Sequence, residues 1–273
     1  MIFKNKQQGS ILIFLLWIVA VISFIVSQFG REVRLKALEA RNIIEARNAY
    51  FTAYSAVQEL MIRLTLPDED ERKVFSGDEI ELDINNEKVK VKIQDEERKI
   101  NINMIDAQPL IDLLTEQLKL SQEKAEEIAD CVLDYRDGDN IPKPHGAEED
   151  YYLALKPPYR PANASFKTIN ELLFVKGITP EIFWGREEEG GEEGKKWIPG
   201  LYDFLTVYGK SVNLSAISSE GENKEKKEEL IQGHYYRFTC QIRGVIFVSI
   251  YKYMGNRKYL LEYWHEYYKP KIS

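Results

Sequence analysis

A long apolar run dominates the start of the hydropathy pattern. Residues 11–26 are apolar apart from Ser23, and no charged residue lies between Lys6 and Arg31. With the uncharged residues that follow, the run is long enough to cross a hydrocarbon core of about 30 Å as an α-helix. Because Lys4 and Lys6 precede it, the positive-inside rule predicts a cytoplasmic N-terminus and a chain that lies mostly on the far side. A cleaved secretory signal is the alternative, although the residues after the run match a small-x-small cleavage site poorly.

The helical pattern continues beyond the apolar run. Residues 31–64 contain no Gly or Pro and many good helix formers, and their apolar side chains recur mostly at steps of three or four. These positions are Leu35, Leu38, Ile43, Ala46, Ala53, Ala56, Leu60 and Leu64. The pattern predicts one continuous helix of roughly 50 residues, about 80 Å long. Such a rod is typical of a subunit that packs with others into a filament.

Two short alternating segments follow and predict a β-hairpin. Apolar and charged residues alternate over 80–84 and again over 88–93, with an Asn-Asn turn between them. The period of the pattern then changes to that of a helix. Residues 105–134 predict two helices, and residues 168–184 predict a further helical pair that is broken at Gly177.

The last third of the chain returns to strands. We expect the low-complexity segment 186–196 to be a mobile loop and the charged segment 219–229 to be a linker. From Leu201 onward the pattern favours strands, ending in a meander over 236–268. The predicted fold class is α+β, with a long N-terminal helix, an antiparallel sheet and a large helical insertion. The predicted boundaries are 67–99 and 205–273 for the β domain and 100–204 for the inserted helical domain.

Charge and rare residues narrow the function classes. Lys plus Arg number 37 and Asp plus Glu number 44, so the formal net charge is −7. Because phosphate binding needs a basic surface, we expect no nucleic-acid partner. Two cysteines cannot form a disulfide framework or a four-thiolate zinc site, and we expect Cys131 and Cys240 to be buried free thiols.

Acidic residues concentrate between positions 134 and 150. Asp137 and Asp139 flank one glycine on a tight loop, and Glu148 follows about ten residues later. Asp134 and Asp150 lie at the two ends of the segment. Ca²⁺ takes roughly six to eight oxygen ligands from flexible loops, and no pair of thiols or imidazoles offers a softer alternative. A solvated acidic loop and a calcium site both remain open at this point. A paired-carboxylate glycosidase is the enzymatic alternative.

The start of the chain, MIFKNKQQG–SILIFLLW, resembles the leader and first helix of type IV pilin-like proteins. That resemblance implies cleavage by a prepilin peptidase between Gly9 and Ser10. The implied segments are the leader at 1–9, the transmembrane part of the helix at 10–30 and its periplasmic part at 31–66.

One position departs from the pilin pattern. Most such subunits carry Glu at the fifth mature position, where this chain has Phe14. A carboxylate at bilayer depth costs about 2.5–3.5 kcal/mol on insertion scales, so it needs a compensating role. In pilins that role is pairing with the N-terminal amine of a neighbouring subunit. A chain with Phe14 lacks this contact.

Further motifs follow in a set order. They are Lys99-Ile-Asn-Ile-Asn103, Leu133-Asp-Tyr-Arg-Asp-Gly-Asp139, Gly146-Ala-Glu148 with Tyr151-Tyr152, and Ile169-Asn-Glu-Leu172 with Gly177. Together with the N-terminus they resemble the K-type minor pseudopilins of type II secretion (general secretion pathway protein K). The first of them, with the two helices behind it, also resembles helix-hairpin-helix modules. The matching hairpin, 119–124, contains no glycine and its surroundings are acidic, which disfavours DNA binding.

The K-type resemblance implies a pilin-like α+β domain interrupted by a helical domain of the SAM or helix-hairpin-helix type. It implies a calcium site in that domain, for which Asp137, Asp139 and Glu148 are the expected ligands and Asp134 and Asp150 are weaker candidates. It also implies a structural subunit without enzymatic activity. The subunit would be a single-pass inner-membrane protein with a cytoplasmic N-terminus and a periplasmic globular part.

On this interpretation the protein is a minor pseudopilin at the tip of the pseudopilus, and it takes part in export across the outer membrane. Its expected partners are other minor pseudopilins, the major pseudopilin, the inner-membrane secretion platform and the prepilin peptidase. The residues expected to contact partner helices are Phe14, Leu35, Leu38, Ala46 and Ala53. Two alternatives remain: a minor pilin of a type IV pilus or DNA-uptake filament, and a membrane-tethered calcium-dependent hydrolase or sugar-binding protein.

Overall fold

A computed structural model describes residues 6–65, 79–189, 195–212 and 230–268 of the 273-residue chain. The chain divides into two compact units, Met1–Tyr54 and Ser55–Ser273. The charged linker expected at 219–229 lies outside the described residues.

The predicted N-terminal helix is present as α1, which runs from Lys6 to Arg63 over 58 residues. Gly9 and Ser10 both lie within it. From Leu12 onward the helix is long and apolar enough to cross a membrane, and none of that apolar stretch is buried within the chain. The continuous helix expected from the spacing of apolar residues is therefore confirmed.

The residues expected to contact partner helices differ in exposure along α1. Phe14, Leu35 and Leu38 expose 66%, 58% and 56% of their surface, and Ala46 is also exposed. Ala53, in contrast, is 0% exposed. Of the five positions, Ala53 is thus the one whose side chain has no exposed surface.

Within the described residues, the second unit contains nine strands and five further α-helices. In chain order the strands are β1 Glu79–Ile84, β2 Glu87–Asp95, β3 Ile100–Asn101, β4 Gly185–Glu189, β5 Lys195–Pro199, β6 Leu205–Thr206, β7 Tyr235–Ile242, β8 Val245–Gly255 and β9 Lys258–Tyr268. The helices are α2 Ala107–Glu116, α3 Gln122–Arg136, α4 Glu149–Leu153, α5 Pro180–Trp184 and α6 Leu201–Phe204, with 3₁₀ helices at Glu96–Arg98 and Ile169–Phe174.

An antiparallel sheet with the strand order β1-β2-β7-β8-β9 forms one layer of this unit. The expected hairpin is β1–β2. Asn85 and Asn86 turn it with φ of 53° and 66°, the left-handed values that a type I′ turn requires. Side chains alternate as the pattern predicted, since Val89 and Val91 in β2 are buried and Lys88 and Lys90 are exposed.

The helical domain lies in sequence between β2 and β7, the two strands that pair at the centre of the sheet. Its two expected helices are α2 and α3, and the hydroxyl of Ser121 caps α3 by accepting a hydrogen bond from the Lys124 N–H at 3.3 Å. Of the helical pair expected at 168–184, the first half is the 3₁₀ helix and the second is α5. Its core includes Leu113, Leu114, Ile128, Val132, Phe183 and Leu205.

The low-complexity segment expected to be a mobile loop is instead a β-hairpin in its described part. Strands β4 and β5 pair from Gly185↔Pro199 to Glu189↔Lys195. Opposite charges face each other across the strands, as at Glu188↔Lys196, and such pairs favour a sheet. Ile198 is buried, and the Arg186 guanidinium donates to the Leu118 carbonyl at 3.0 Å. The strands were not predicted, because the acidic, glycine-rich composition of the segment is typical of a loop.

Two asparagines of the 99–103 motif tie the start of the insertion to its end. The Asn101 amide donates to the Gly209 carbonyl at 2.8 Å, and its oxygen accepts from the Asn103 N–H at 2.9 Å. The Asn103 amide exchanges two hydrogen bonds with the backbone of Phe166, at 2.9 and 2.7 Å. The motif thus has a structural role, because its two side-chain amides form hydrogen bonds with backbone groups far along the chain.

A buried ion pair lies where the sheet meets the inserted domain. Glu96, 0% exposed, follows β2, and Arg237, 1% exposed, lies on β7. Their side chains are joined by the contacts Nε–Oε1 and Nη2–Oε2, both at 2.8 Å. Burial alone would raise the pKa of Glu96, but the charges of Arg237 and Lys99 outweigh it and lower that pKa below its ordinary value.

The inserted domain completes this network. The Thr206 hydroxyl on β6 donates to Glu96 Oε2 at 2.5 Å, and the Arg237 guanidinium stacks 4.3 Å from the ring centre of Tyr202 on α6. Lys99 lies 3.5 Å from Glu96 Oε1, and burial with the nearby Arg237 charge lowers its pKa to about 8. Groups from both domains therefore surround the same buried carboxylate.

We predict that Arg237→Met lowers the free energy of unfolding by about 3–5 kcal/mol, because Glu96 would remain charged and buried without its main partner. Adding Glu96→Gln should then cost little more or recover part of the loss, since the amide keeps an acceptor for Thr206 without the charge. Urea unfolding of the two single variants and the double variant measures the coupling. Strictly additive losses would contradict the coupling of the two charges.

Candidate metal centre

The acidic cluster forms where α3 ends and α4 begins. Asp137 is the C-cap of α3, and Glu148 is the N-cap of α4. The loop between them folds back, so that one carboxylate oxygen each of Asp137, Asp139 and Glu148 lies within 4.8 Å of the others. These are the three residues that the sequence motifs favoured most strongly as ligands.

Glu148 is the most unusual member of the cluster. It is only 6% exposed, and among the described residues both of its buried carboxylate oxygens lack a hydrogen-bond partner. Burial, reinforced by the negative charges of the three aspartates nearby, raises the pKa of Glu148 to about 7. A buried carboxylate without donors is costly, so the site suits a positively charged ligand at this point.

The other two carboxylates of the cluster, those of Asp137 and Asp139, each place one oxygen close to Glu148. Asp137 Oδ1 is buried and, within the described ranges, has no hydrogen-bond partner. Asp139 is exposed, and its Oδ1 accepts the Ile141 N–H at 2.9 Å, which fixes the loop. The Asp139 carbonyl accepts from the amide of Asn163 at 3.4 Å, a neighbour that the sequence did not indicate. All of the candidate ligand atoms are oxygens, which hard cations such as Ca²⁺ prefer.

Asp134 lies beside the cluster but outside the group of three. It is in the last turn of α3 and 0% exposed. Its carboxylate accepts from the Lys143 ammonium at 2.9 Å and from the Lys143 backbone N–H at 3.1 Å. Asp134 is thus occupied in holding the loop, and it stays a weaker candidate ligand than the three residues of the cluster.

Asp150 does not reach the cluster either. It lies in α4 and is exposed. The helix that Glu148 caps carries Asp150 outward, because a residue two positions further along a helix points in a different direction. The structure therefore brings together Asp137, Asp139 and Glu148 and leaves Asp150 in solvent.

Lys143 is a member of the site that sequence reasoning missed. Its ammonium bridges Asp134 Oδ1 at 2.9 Å and Asp137 Oδ2 at 2.8 Å. Burial would lower the pKa of Lys143, but the hydrogen bonds to the two carboxylates outweigh it and raise that pKa above its ordinary value. A single lysine inside an acidic run was the available signal.

The thiol near the site is buried and free. Cys131 is buried, its Sγ contacts the His145 carbonyl at 3.4 Å, and burial raises its pKa to about 12. Cys240 is also buried and free, with a pKa raised to about 12 by burial. Thiolates are scarce at such values, so neither cysteine is a suitable nucleophile or metal ligand.

The helix, sheet and insertion together define a pilin-like α+β protein, and the predicted fold class is confirmed. A GspK–GspI–GspJ complex from the type 2 secretion system of enterotoxigenic Escherichia coli contains a chain with this fold. The TM-score is 0.57 at 16% identity, covering 84% of this chain and 99% of that one.

Sequence comparison gives the family resemblance. Residues 93–184 match the family model of type II secretion system (T2SS), protein K. The chain is 42% identical over 71 residues to type II secretion system protein K of Pectobacterium carotovorum subsp. carotovorum, and 24% identical over 205 residues to that of Aeromonas hydrophila. These matches cover 26% and 66% of this chain, and they span 22% and 61% of the two relatives. The resemblance to the K-type pseudopilins is therefore confirmed.

We predict that Gly146→Ala disrupts the acidic loop. A Cβ at this position would collide with the buried Asp134 carboxylate, lying 2.7 Å from its Cγ and 3.1 Å from the Lys143 nitrogen. The free energy of unfolding should fall by about 1–3 kcal/mol, as for other overpacked sites. Gly138→Ala in the same loop is the matched control, because its Cβ would meet nothing within 4 Å. Equal losses in urea unfolding of the two variants would contradict this explanation.

Proposed function

We propose that this protein is a minor pseudopilin that caps the tip of the type II secretion pseudopilus and takes part in protein export across the outer membrane. One observation carries the proposal: the K-type family match at 93–184 begins at the end of β2 and covers most of the helical region inserted into a pilin-like sheet, in a chain with a helix of membrane-crossing length. The inserted domain distinguishes this subunit from one built only of a helix and a sheet.

Two features of the chain support the terminal position. Phe14 supplies no charge where most pilin-like subunits offer a carboxylate to the subunit ahead of them. The inserted domain adds about a hundred residues between β2 and β7, and such bulk would obstruct a further subunit above it. Both features favour the first-assembled place in the filament.

The proposed setting follows from the helix. α1 would anchor the protein in the inner membrane, with a cytoplasmic N-terminus and the sheet and insertion in the periplasm. Its partners would be other minor pseudopilins, the major pseudopilin and the inner-membrane platform. The role is structural and requires no catalytic residues.

We predict that Leu35→Cys and Leu38→Cys form crosslinks to other pseudopilins in native membranes, because both positions are exposed on α1. Ala53→Cys is the matched control and should not crosslink, since this position is 0% exposed.

Overexpression of the protein alone should yield no filament. Long filaments made of this protein alone would overturn the tip assignment, and crosslinks only to type IV pilins would indicate a minor pilin instead.

We further propose that a prepilin peptidase cuts between Gly9 and Ser10. The basic leader and the small residue precede the apolar helix, which is the order that pilin-like substrates share. The intact mass of the mature protein should correspond to a chain beginning at Ser10, and Gly9→Leu should leave the leader attached. A mature chain that begins near residue 30 would indicate an ordinary secretory signal.

We also propose that Asp137, Asp139 and Glu148 hold a calcium ion. The support is the oxygen-only donor set together with the two buried Glu148 oxygens that lack a partner among the described residues. When bound, the ion would neutralise this charge and fix the loop between α3 and α4. Its role is therefore structural.

We predict that Ca²⁺ raises the melting temperature of the full-length protein in detergent relative to chelator. Binding to the folded state alone stabilises it by about 2.7 kcal/mol at a hundredfold excess over the dissociation constant. Asp137→Asn combined with Asp139→Asn should abolish the difference. Asp150→Asn, at an exposed position outside the cluster, should retain it. Identical melting curves of the unaltered protein with and without Ca²⁺ would contradict the calcium site.

A further inference from the structure

Lys143 occupies an unusual place for a cation, because its ammonium lies against the acidic cluster itself. It bridges Asp134 and Asp137 at 2.9 and 2.8 Å. Asp134 is 0% exposed at its side chain, whereas the lysine side chain is 34% exposed. The ammonium thus reaches from the surface to a carboxylate that solvent does not touch.

The two oxygens of Asp137 have different surroundings. Oδ2 accepts from Lys143, while Oδ1 is buried and, in the described part of the chain, has no hydrogen-bond partner. Glu148 is 6% exposed, and both of its carboxylate oxygens are likewise buried without a hydrogen-bond partner among the described residues. Lys143 therefore satisfies the Asp134 side of the cluster and leaves the Asp137–Glu148 side open. The open side is where a cation would be held.

We propose that Lys143 is a built-in counter-ion of this cluster, which stabilises the loop without metal and competes electrostatically with the bound cation. The proposal rests on the calcium site proposed above. The positive charge of Lys143 acts directly on the cluster, since its ammonium lies 2.8 Å from a carboxylate oxygen of Asp137, one of the proposed ligands. Like charges a few ångströms apart repel each other more strongly in a partly buried site than in water. A cation that enters must overcome this repulsion.

The competing role has two consequences that a purely structural role lacks. Without metal, Lys143 neutralises Asp134, which would otherwise be a buried carboxylate with its cation removed. With metal, the same ammonium weakens binding, because it reduces the negative charge of the site. Loss of Lys143 should therefore destabilise the metal-free protein and strengthen calcium binding at the same time.

The test uses full-length protein in detergent, with calcium binding measured by titration calorimetry and stability by thermal unfolding in chelator. Lys143→Met should bind Ca²⁺ roughly tenfold more tightly, which corresponds to about 1.4 kcal/mol. It should melt at a lower temperature in chelator, so the temperature shift caused by Ca²⁺ should widen. Lys143→Arg keeps the charge and should stay near the affinity of the unaltered protein.

Two further variants separate local electrostatics from a general effect. Lys143→Met combined with Asp134→Asn removes one charge of each sign, so affinity and metal-free stability should both return toward their original values. Lys258→Met changes the net charge equally at an exposed position on β9, outside the inserted domain, and should leave the affinity unchanged.

The outcomes distinguish this proposal from the one on which it rests. If the unaltered protein binds Ca²⁺ and Lys143→Met binds it equally or more weakly, the counter-ion role is wrong and the calcium site stands. If neither the unaltered protein nor Lys143→Met binds Ca²⁺, the calcium site is wrong and the counter-ion role fails with it. Tighter binding that persists in the double variant would also contradict the electrostatic competition.

Discussion

The buried ion pair between Glu96 and Arg237 is the constraint on which the second unit depends. Glu96 lies where the chain leaves the sheet after β2, and Arg237 lies on β7, where the chain has returned. Because isolated buried charges are strongly unfavourable, the carboxylate needs all of its donors in place. One donor, Thr206, comes from the end of the insertion. The same set of contacts therefore stabilises both the docking of the inserted domain and the pairing of β2 with β7.

The position of the acidic cluster depends on this junction. The amides of Asn101 and Asn103 fix the segment that follows Glu96, and Arg136 in the last turn of α3 donates to the carbonyls of Ile102 and Ile105. The end of α3 is thus pinned to the first residues of the insertion. Asp137 begins the acidic loop at that pinned end, so the cluster starts from a rigid point although most of its loop has no regular structure.

Local patterns predicted much of the fold because they depend on neighbouring residues. Alternation gave the β1–β2 hairpin, and helical spacing gave α1, α2 and α3. In the site, Asp137 and Asp139 were predictable because one glycine separates them on a tight loop. The contact between Asp134 and Lys143 was not predictable, since it depends on how the loop folds back.

Long-range contacts were not predictable from the sequence. Glu96 and Arg237 are 141 positions apart, and no local pattern signals that two such charges meet in the interior. The β4–β5 hairpin was missed for a related reason, because its stability comes from cross-strand charge pairs in a segment whose composition is typical of a loop.

The parallel pairing of β3 with β6 has a consequence for the order of folding. Ile100 pairs with Leu205 and Asn101 with Thr206, so the two ends of the insertion lie side by side. A loop-closure penalty grows with the length of flexible chain between two contacts. If the insertion folds first, the β3–β6 pairing already holds its two ends together. The flexible chain between β2 and β7 is then much shorter when these two strands pair. The helical domain then lowers the entropic barrier to assembling the sheet that it interrupts.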